Sequence, residues 1–178
     1  QIKPINITDV LRYVDQETGF LDNFEHVLPV QSKGRANVND LLAVIIGNGT
    51  NYGLYGMANI SDRAYDQLKG IQANYLRPET LNNANDVINN SVARLAIFKH
   101  YNIQEDLIHA SADGQKFESR LETFKTRYSS KYFGTNKGVS AITLIANHAA
   151  LNAKVIGSNE HESHYIFDLL QSNTSEIQ

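Results

Sequence analysis

The spacing of the apolar residues changes near residue 105, and this change divides the chain into a helical part and a sheet-forming part. Upstream the period is helical. Thr8 with Asp9, Val10, Leu11 and Val14 reads as a short capped helix. Asn37 to Asp40 introduce a buried helix, Leu41 to Ile46, that is expected to stop at Gly47 and Gly49. Gly53 and Gly56 bracket what reads as a tight connection, and Ser61 with Asp62 starts a helix through Tyr65, Leu68 and Ile71. Pro78 stands at a helix start, where its missing N–H costs nothing. From there Ala84, Val87, Ile88, Ser91, Val92, Leu95, Ala96 and Phe98 mark one buried face. The opposite face carries Asn82, Asn83, Asn85, Asn89 and Asn90, poor helix formers that tertiary packing must hold.

Downstream the period falls toward two. Strands are expected over Leu107 to Asp113, Val139 to His148 and Leu151 to Gly157, the last two close enough to form a hairpin. An amphipathic helix follows over His164 to Leu170. The fold class is therefore α+β. Residues 1–105 form a helical region, and 106–178 supply three strands and one helix, the opening of a sheet rather than a finished one. An unpaired edge strand on such a sheet favours self-association.

Composition narrows the chemistry. Sixteen Lys+Arg against 19 Asp+Glu exclude a globally basic nucleic-acid binder, and the absence of cysteine excludes disulfides, thiolate metal sites and thiol nucleophiles. No run approaches 18 apolar residues, so no membrane span is expected. The chain starts at Gln1 and reads as a piece cut from a longer protein. There is no GxSxG, no GxxxxGK[ST] and no GxGxxG followed by an acidic residue; Gly47-Asn48-Gly49 reads as a breaker.

Three places could carry chemistry. Asp113 follows the small residues Ala110-Ser111-Ala112 and precedes Gly114, so its carboxylate leaves a strand where the backbone can be approached closely. A hard oxygen ligand on a rigid strand suits Mg²⁺, although Asp-Gly is also a common turn. The stretch 116–137 carries Lys116, Arg120, Lys125, Arg127, Lys131 and Lys137 against Glu118 and Glu122, with Tyr128, Tyr132 and Phe133 interleaved. It reads either as a local phosphate-binding patch or as a solvated loop. In Glu160-His161-Glu162-Ser163-His164 the spacing is not HExxH; Ser163 is expected to cap the next helix, and Glu160, His161 and Glu162 to lie beside a site at the strand ends. His26, His100, His109 and His148 read as structural.

The run His109-Ala110-Ser111-Ala112-Asp113-Gly114-Gln115-Lys116-Phe117, with Arg127-Tyr128-Ser129 and Lys131-Tyr132-Phe133-Gly134, resembles the core of the Tn-three family of transposases, the enzymes of replicative bacterial transposons. Asp40-Leu41-Leu42-Ala43 through Met57-Ala58, Arg77-Pro78-Glu79-Thr80, Asn159 to Ser163 and Phe167 to Leu170 are similar to the same family in the same order. The resemblance implies a DDE transposase with an RNase H-like core, in which Asp113 matches the first catalytic Asp and ligates metal. Two Mg²⁺ ions, with Mn²⁺ as a substitute, would serve 3′-end cleavage and strand transfer. The second Asp of the family lies on the strand after the last helix, and the Glu comes later; Asp168 is not the second Asp. The 178 residues are expected to be inactive alone. The implied partners are transposon-end and target DNA and further transposase copies, in the bacterial cytoplasm at the nucleoid, with no membrane. The basic residues from Lys116 to Lys137 would hold the DNA backbone. The alternative is a non-catalytic DNA-binding or assembly module in which Asp113 is only a turn.

Overall fold

The structure is a computed structural model that describes residues 4–30, 34–104 and 107–177. The chain divides into two compact units, Gln1–Ile88 and Asn89–Gln178. The boundary expected at 105/106 falls on residues outside the described set.

In the first unit, helix α1 (Ile7–Thr18) is capped two residues earlier than expected. Asn6 Oδ1 accepts the Thr8 N–H, and Gly19 ends the helix in the left-handed region at φ 68°. A short 3₁₀ turn, Phe20–Asn23, buries Phe20 and Leu21. Asn37 caps α2 (Val38–Gly49) by accepting from the Asn39 and Asp40 amides. This helix does not stop at Gly47. A Cβ there would stand 3.3 Å from Gly53 O and Met57 Cβ, so the glycine serves close approach to α3 rather than helix termination. The expected tight connection is itself a helix, α3 (Gly53–Ile60), and Gly53 carries the positive φ that lets it start. Ser61 closes α3 instead of opening the next helix, and α4 (Tyr65–Tyr75) begins four residues later. Val44, Met57 and Leu68 form one core; Phe20, Leu21, Phe24, Leu41, Leu42, Tyr75 and Ala84 form another.

Helix α5 (Pro78–Ala93) starts at the proline as expected. Just inside its first turn, the buried Thr80 hydroxyl donates to Tyr75 O (2.7 Å) and accepts the Arg77 N–H (3.1 Å). The helix ends at Ala93, short of the predicted apolar face; Leu95 is extended, and Phe98 enters its core from a 3₁₀ turn, Ala96–Tyr101.

The second unit is an antiparallel sheet. Strand β1 (Ala110–Glu118) and β4 (Ala149–Gly157) flank the central β3 (Lys137–Ala146). A two-residue strand, β2 (Arg127–Tyr128), continues the β4 side by pairing Gly138 and Lys137. The hairpin turn places Asn147 and His148 at φ 46° and 67°, both left-handed, as a two-residue turn between twisted strands requires. Asn147 Nδ2 donates to Phe98 O and Asn102 Oδ1, holding that turn. A bulge between Leu144 and Ile145 sets Leu144 opposite Asn152 and Ile145 opposite Ala150, and the side chain of the intervening Leu151 enters the core. Asn89, read on the face opposite the apolar one, is buried and donates to Ala150 O at 2.9 Å.

The predicted helix at 164–170 is two pieces: a 3₁₀ turn, Glu162–Tyr165, and α7 (Ile166–Gln171). A four-residue helix, α6 (Ser130–Phe133), lies in the β2–β3 connection. Leu169 of α7 packs with Ile142, Leu144 and Ile156, covering one face of the sheet. Lys154 Nζ reaches Asp168 at 2.7 Å, and Asn152 Nδ2 donates to Leu169 O. No helix among the described residues is long and apolar enough to cross a membrane.

Candidate functional site

Strand alternation decides where each candidate points. Along β1, Ala112, Gly114 and Lys116 share the covered face, whereas Asp113, Gln115 and Phe117 face the other way and are exposed. Asp113 is therefore not at a strand end and not in a turn. It sits in mid-strand, paired with Thr143 of β3, which in turn pairs with Ala153 of β4. β1 runs to Glu118 because its backbone stays in register with β3 as far as Gly138, so the polar side chains of Gln115 and Lys116 do not end it. The Asp113 Oδ1 accepts the Gly114 N–H at 2.8 Å. Its open face also shows Phe117, Ile145 and Val155, each more than two-fifths exposed.

Glu162 occupies the opposite face. Its Oε1 accepts from Ser140 Oγ (3.2 Å) and lies 3.8 Å from Lys116 Nζ. Lys116 also donates to Ser158 O (3.2 Å) and stands 5.1 Å from the centre of the Tyr132 ring. A recess of about 320 Å³ there brings together Lys116, Lys131, Tyr132, Glu160, His161 and Glu162. Asp113 does not line it. Ser163 does not cap the following helix: its Oγ is hydrogen-bonded to His161 Nδ1 at 2.9 Å, and the cap positions of the 3₁₀ turn and of α7 fall on His161 and Tyr165. The structure thus joins the 160–162 cluster to part of the basic stretch and separates both from the Asp113 carboxylate by the thickness of the sheet.

The six cations differ in what holds them. Lys116 is turned inward, its side chain 15% exposed. Lys137 pairs with Glu122 at 2.5 Å and stands over Tyr128. The Glu122 hydrogen bond raises the Lys137 pKa above its ordinary value. That pair's contribution to stability is full below the ordinary lysine pKa and is lost as pH rises through the raised one. Lys125 donates to Val155 O and Arg127 to Phe124 O and Thr126 O, neutral carbonyls that fix the side chains, and both charges act on the Glu160 carboxylate. Arg120 and Lys131 are exposed.

Glu160 accepts from the Tyr165 hydroxyl, and that hydrogen bond lowers the Glu160 pKa, with the charges of Arg127 and Lys125 adding to the effect. The same bond raises the Tyr165 pKa. The Glu160 contribution to stability is thus present above the ordinary glutamate value and lost as pH falls through the lowered one. Tyr165→Phe is expected to move the Glu160 pKa upward toward that ordinary value. A carboxyl-detected NMR titration reads this directly, and an unchanged midpoint would mean that the hydroxyl is not its partner.

Sequence reasoning missed Ser140 and Tyr165. Ser140 had a signal: a polar residue at an inward position of a period-two strand, buried beneath Glu162. Among the described residues no group of three or more His, Asp or Glu side chains could hold a metal ion. Asp113 offers the hard oxygen that Mg²⁺ prefers, but one carboxylate is not a site. The described residues alone do not fit the metal.

Comparison with known proteins bears on the same residues. A family model described as the Tn3 transposase DDE domain matches residues 9–178. The chain is 27% identical over 177 residues to the transposase for transposon gamma-delta of Escherichia coli (strain K12), covering 97% of this chain and 17% of that protein. It is 30% identical over 178 residues to the transposase for transposon Tn501 of Pseudomonas aeruginosa, and 34% over 179 to that for Tn2501 of Escherichia coli, with the same coverage. The chain thus spans 17% of the length of these relatives. No solved structure matches it.

Proposed function

Because the chain belongs to the Tn3 transposase DDE domain family, we propose that it is part of the catalytic region of a transposase that cleaves DNA 3′ ends and transfers them to a target in a Mg²⁺-dependent reaction. The observation that carries this reading is the placement of Asp113: an exposed carboxylate in the middle of the first long strand, next to the central strand of an antiparallel sheet. The three long strands followed by α7 support an RNase H-like core, with 1–105 as the preceding helical region and 106–178 as its opening. The chain's own contribution is to hold one carboxylate rigidly, since β1 and β3 pair over all nine residues of β1. Further carboxylates from elsewhere in the transposase would have to complete a metal site. The test is 3′-end nicking by the complete protein carrying Asp113→Ala. Retained nicking would instead favour the non-catalytic DNA-binding or assembly module.

DNA backbone contact is assigned to the outward cations Arg120, Lys125, Arg127 and Lys131, with Lys116 and Lys137 in supporting positions. Each phosphate contact releases condensed counterions, so it steepens the salt dependence of binding. Arg120→Gln combined with Lys131→Gln is expected to reduce the slope of log K against log salt by about 2 in the complete protein. An unchanged slope in a filter-binding salt series would remove both residues from the DNA interface.

A further inference from the structure

We propose that Glu162 is a positioning residue for Asp113, acting through the Gly114 peptide from the far side of the sheet. The inference rests on the reading of Asp113 as the catalytic carboxylate. Gly114 is the residue whose N–H holds Asp113 Oδ1 at 2.8 Å. A Cβ on Gly114 would lie 2.3 Å from both the carboxyl carbon and Oε1 of Glu162. The Glu162 carboxylate therefore fills the space a side chain would take, directly against the peptide that orients Asp113.

Two further contacts fix it there. Ser140 Oγ donates to Oε1, Lys116 Nζ stands 3.8 Å away, and Lys116 and Ser140 are register partners across β1 and β3. Ser140 is fully buried. Glu162 thus bridges the two strands two residue pairs along from Gly114. Glycine is the most mobile residue a strand can hold. Here its peptide plane is braced by a carboxylate that is itself braced on two strands. The bracing comes from shape and from an acceptor for Ser140, so a side chain of the same size with one acceptor oxygen should restore it.

The experiment compares five variants of the complete transposase, Asp113→Ala among them, for the rate of 3′-end nicking and, separately, for affinity toward the same DNA. Glu162→Ala is expected to slow nicking by roughly 10–100-fold, the usual scale for a group that orients a ligand rather than touching the reaction, with DNA affinity unchanged. Glu162→Gln should recover most of that loss. Gly114→Ala pushes the carboxylate out and should give a loss of similar size. The Gly114→Ala/Glu162→Ala pair should be no slower than the slower single variant, because both remove one contact. Losses that multiply in the pair would overturn the proposal, as would Gln behaving like Ala. If Asp113→Ala abolishes nicking while Glu162→Ala leaves it intact, this inference fails alone. If Asp113→Ala leaves nicking intact, it fails together with the reading it rests on. Should Glu162→Ala not fold, the Gln and Gly114 variants carry the same comparison.

Discussion

Asp113→Ala is expected to abolish 3′-end nicking by the complete transposase, a loss of about 10³-fold or more, while leaving DNA binding and folding intact. The size follows from the role. In the proposed reading Asp113 would hold a catalytic ion, and a carboxylate in that role is needed most where negative charge builds on the attacking and leaving oxygens. The innocence of the substitution toward folding follows from the geometry. Asp113 is exposed, its recorded hydrogen bond is to the next residue's own amide, and the pairing of β1 with β3 is made by backbone groups that alanine keeps. Its unfolding free energy should therefore change by no more than about 0.5 kcal/mol. Nicking on a labelled transposon-end substrate, read beside a thermal melt, separates the two effects. Wild-type nicking in the variant would end the catalytic reading; a collapsed melt would mean that Asp113 is structural.

The second large effect lies in the helical unit. Asp40 is a buried carboxylate at the start of α2, and Arg63 Nη1 lies 3.1 Å from its Oδ1. The approach neutralises the charge but is not aligned as a hydrogen bond, so Oδ1 has no hydrogen-bond partner. Oδ2 accepts from Gln67 Nε2 at 2.6 Å. Removing Arg63 leaves a desolvated charge with a single neutral donor, and Arg63→Ala is expected to cost about 3 kcal/mol of stability. Arg63 also reaches Asp62, an exposed residue whose loss alone should matter little. Replacing both Asp40 and Arg63 by apolar residues of similar size should recover most of the loss, since the desolvation penalty then disappears with the pair. Urea denaturation of the single and double variants decides it. A cost below about 1 kcal/mol for Arg63→Ala would show that Asp40 is satisfied by Gln67 alone.

How far the sequence reached can be judged from particular residues. Pro78 marked the start of α5 because proline's fixed φ and missing N–H act locally, and no distant contact is needed to interpret them. The β-branched run at Val139–Leu144 marked the central strand for a similar reason: residues of that kind suit a pleated, buried surface. The motif around Asp113 was legible as a family likeness over residues 9–178. Local signals failed where a contact from elsewhere in the fold overrode them. Gly47 looked like a breaker but serves helix contact with Met57; Leu95 looked like the continuation of a helix but is extended. Asp113-Gly114 looked like a strand end, yet pairing with Thr143 and Ile142 carries the strand past it.

The sequence by itself therefore determined the class of the protein: helices and then strands, a family, and one carboxylate singled out by its neighbours. These are properties of residues three or four apart, where propensity and period are written directly into the chain. Only the tertiary structure decided which face each side chain uses. Asp113 and Lys116 are three residues apart and fall on opposite faces of β1, while Glu162, nearly fifty positions later, lies against Gly114. Strand alternation fixes which residues share a face, but which face is covered depends on where α7 and the turn before it settle. That is set by packing Leu169 onto Ile142, Leu144 and Ile156, a match of surfaces distant in sequence.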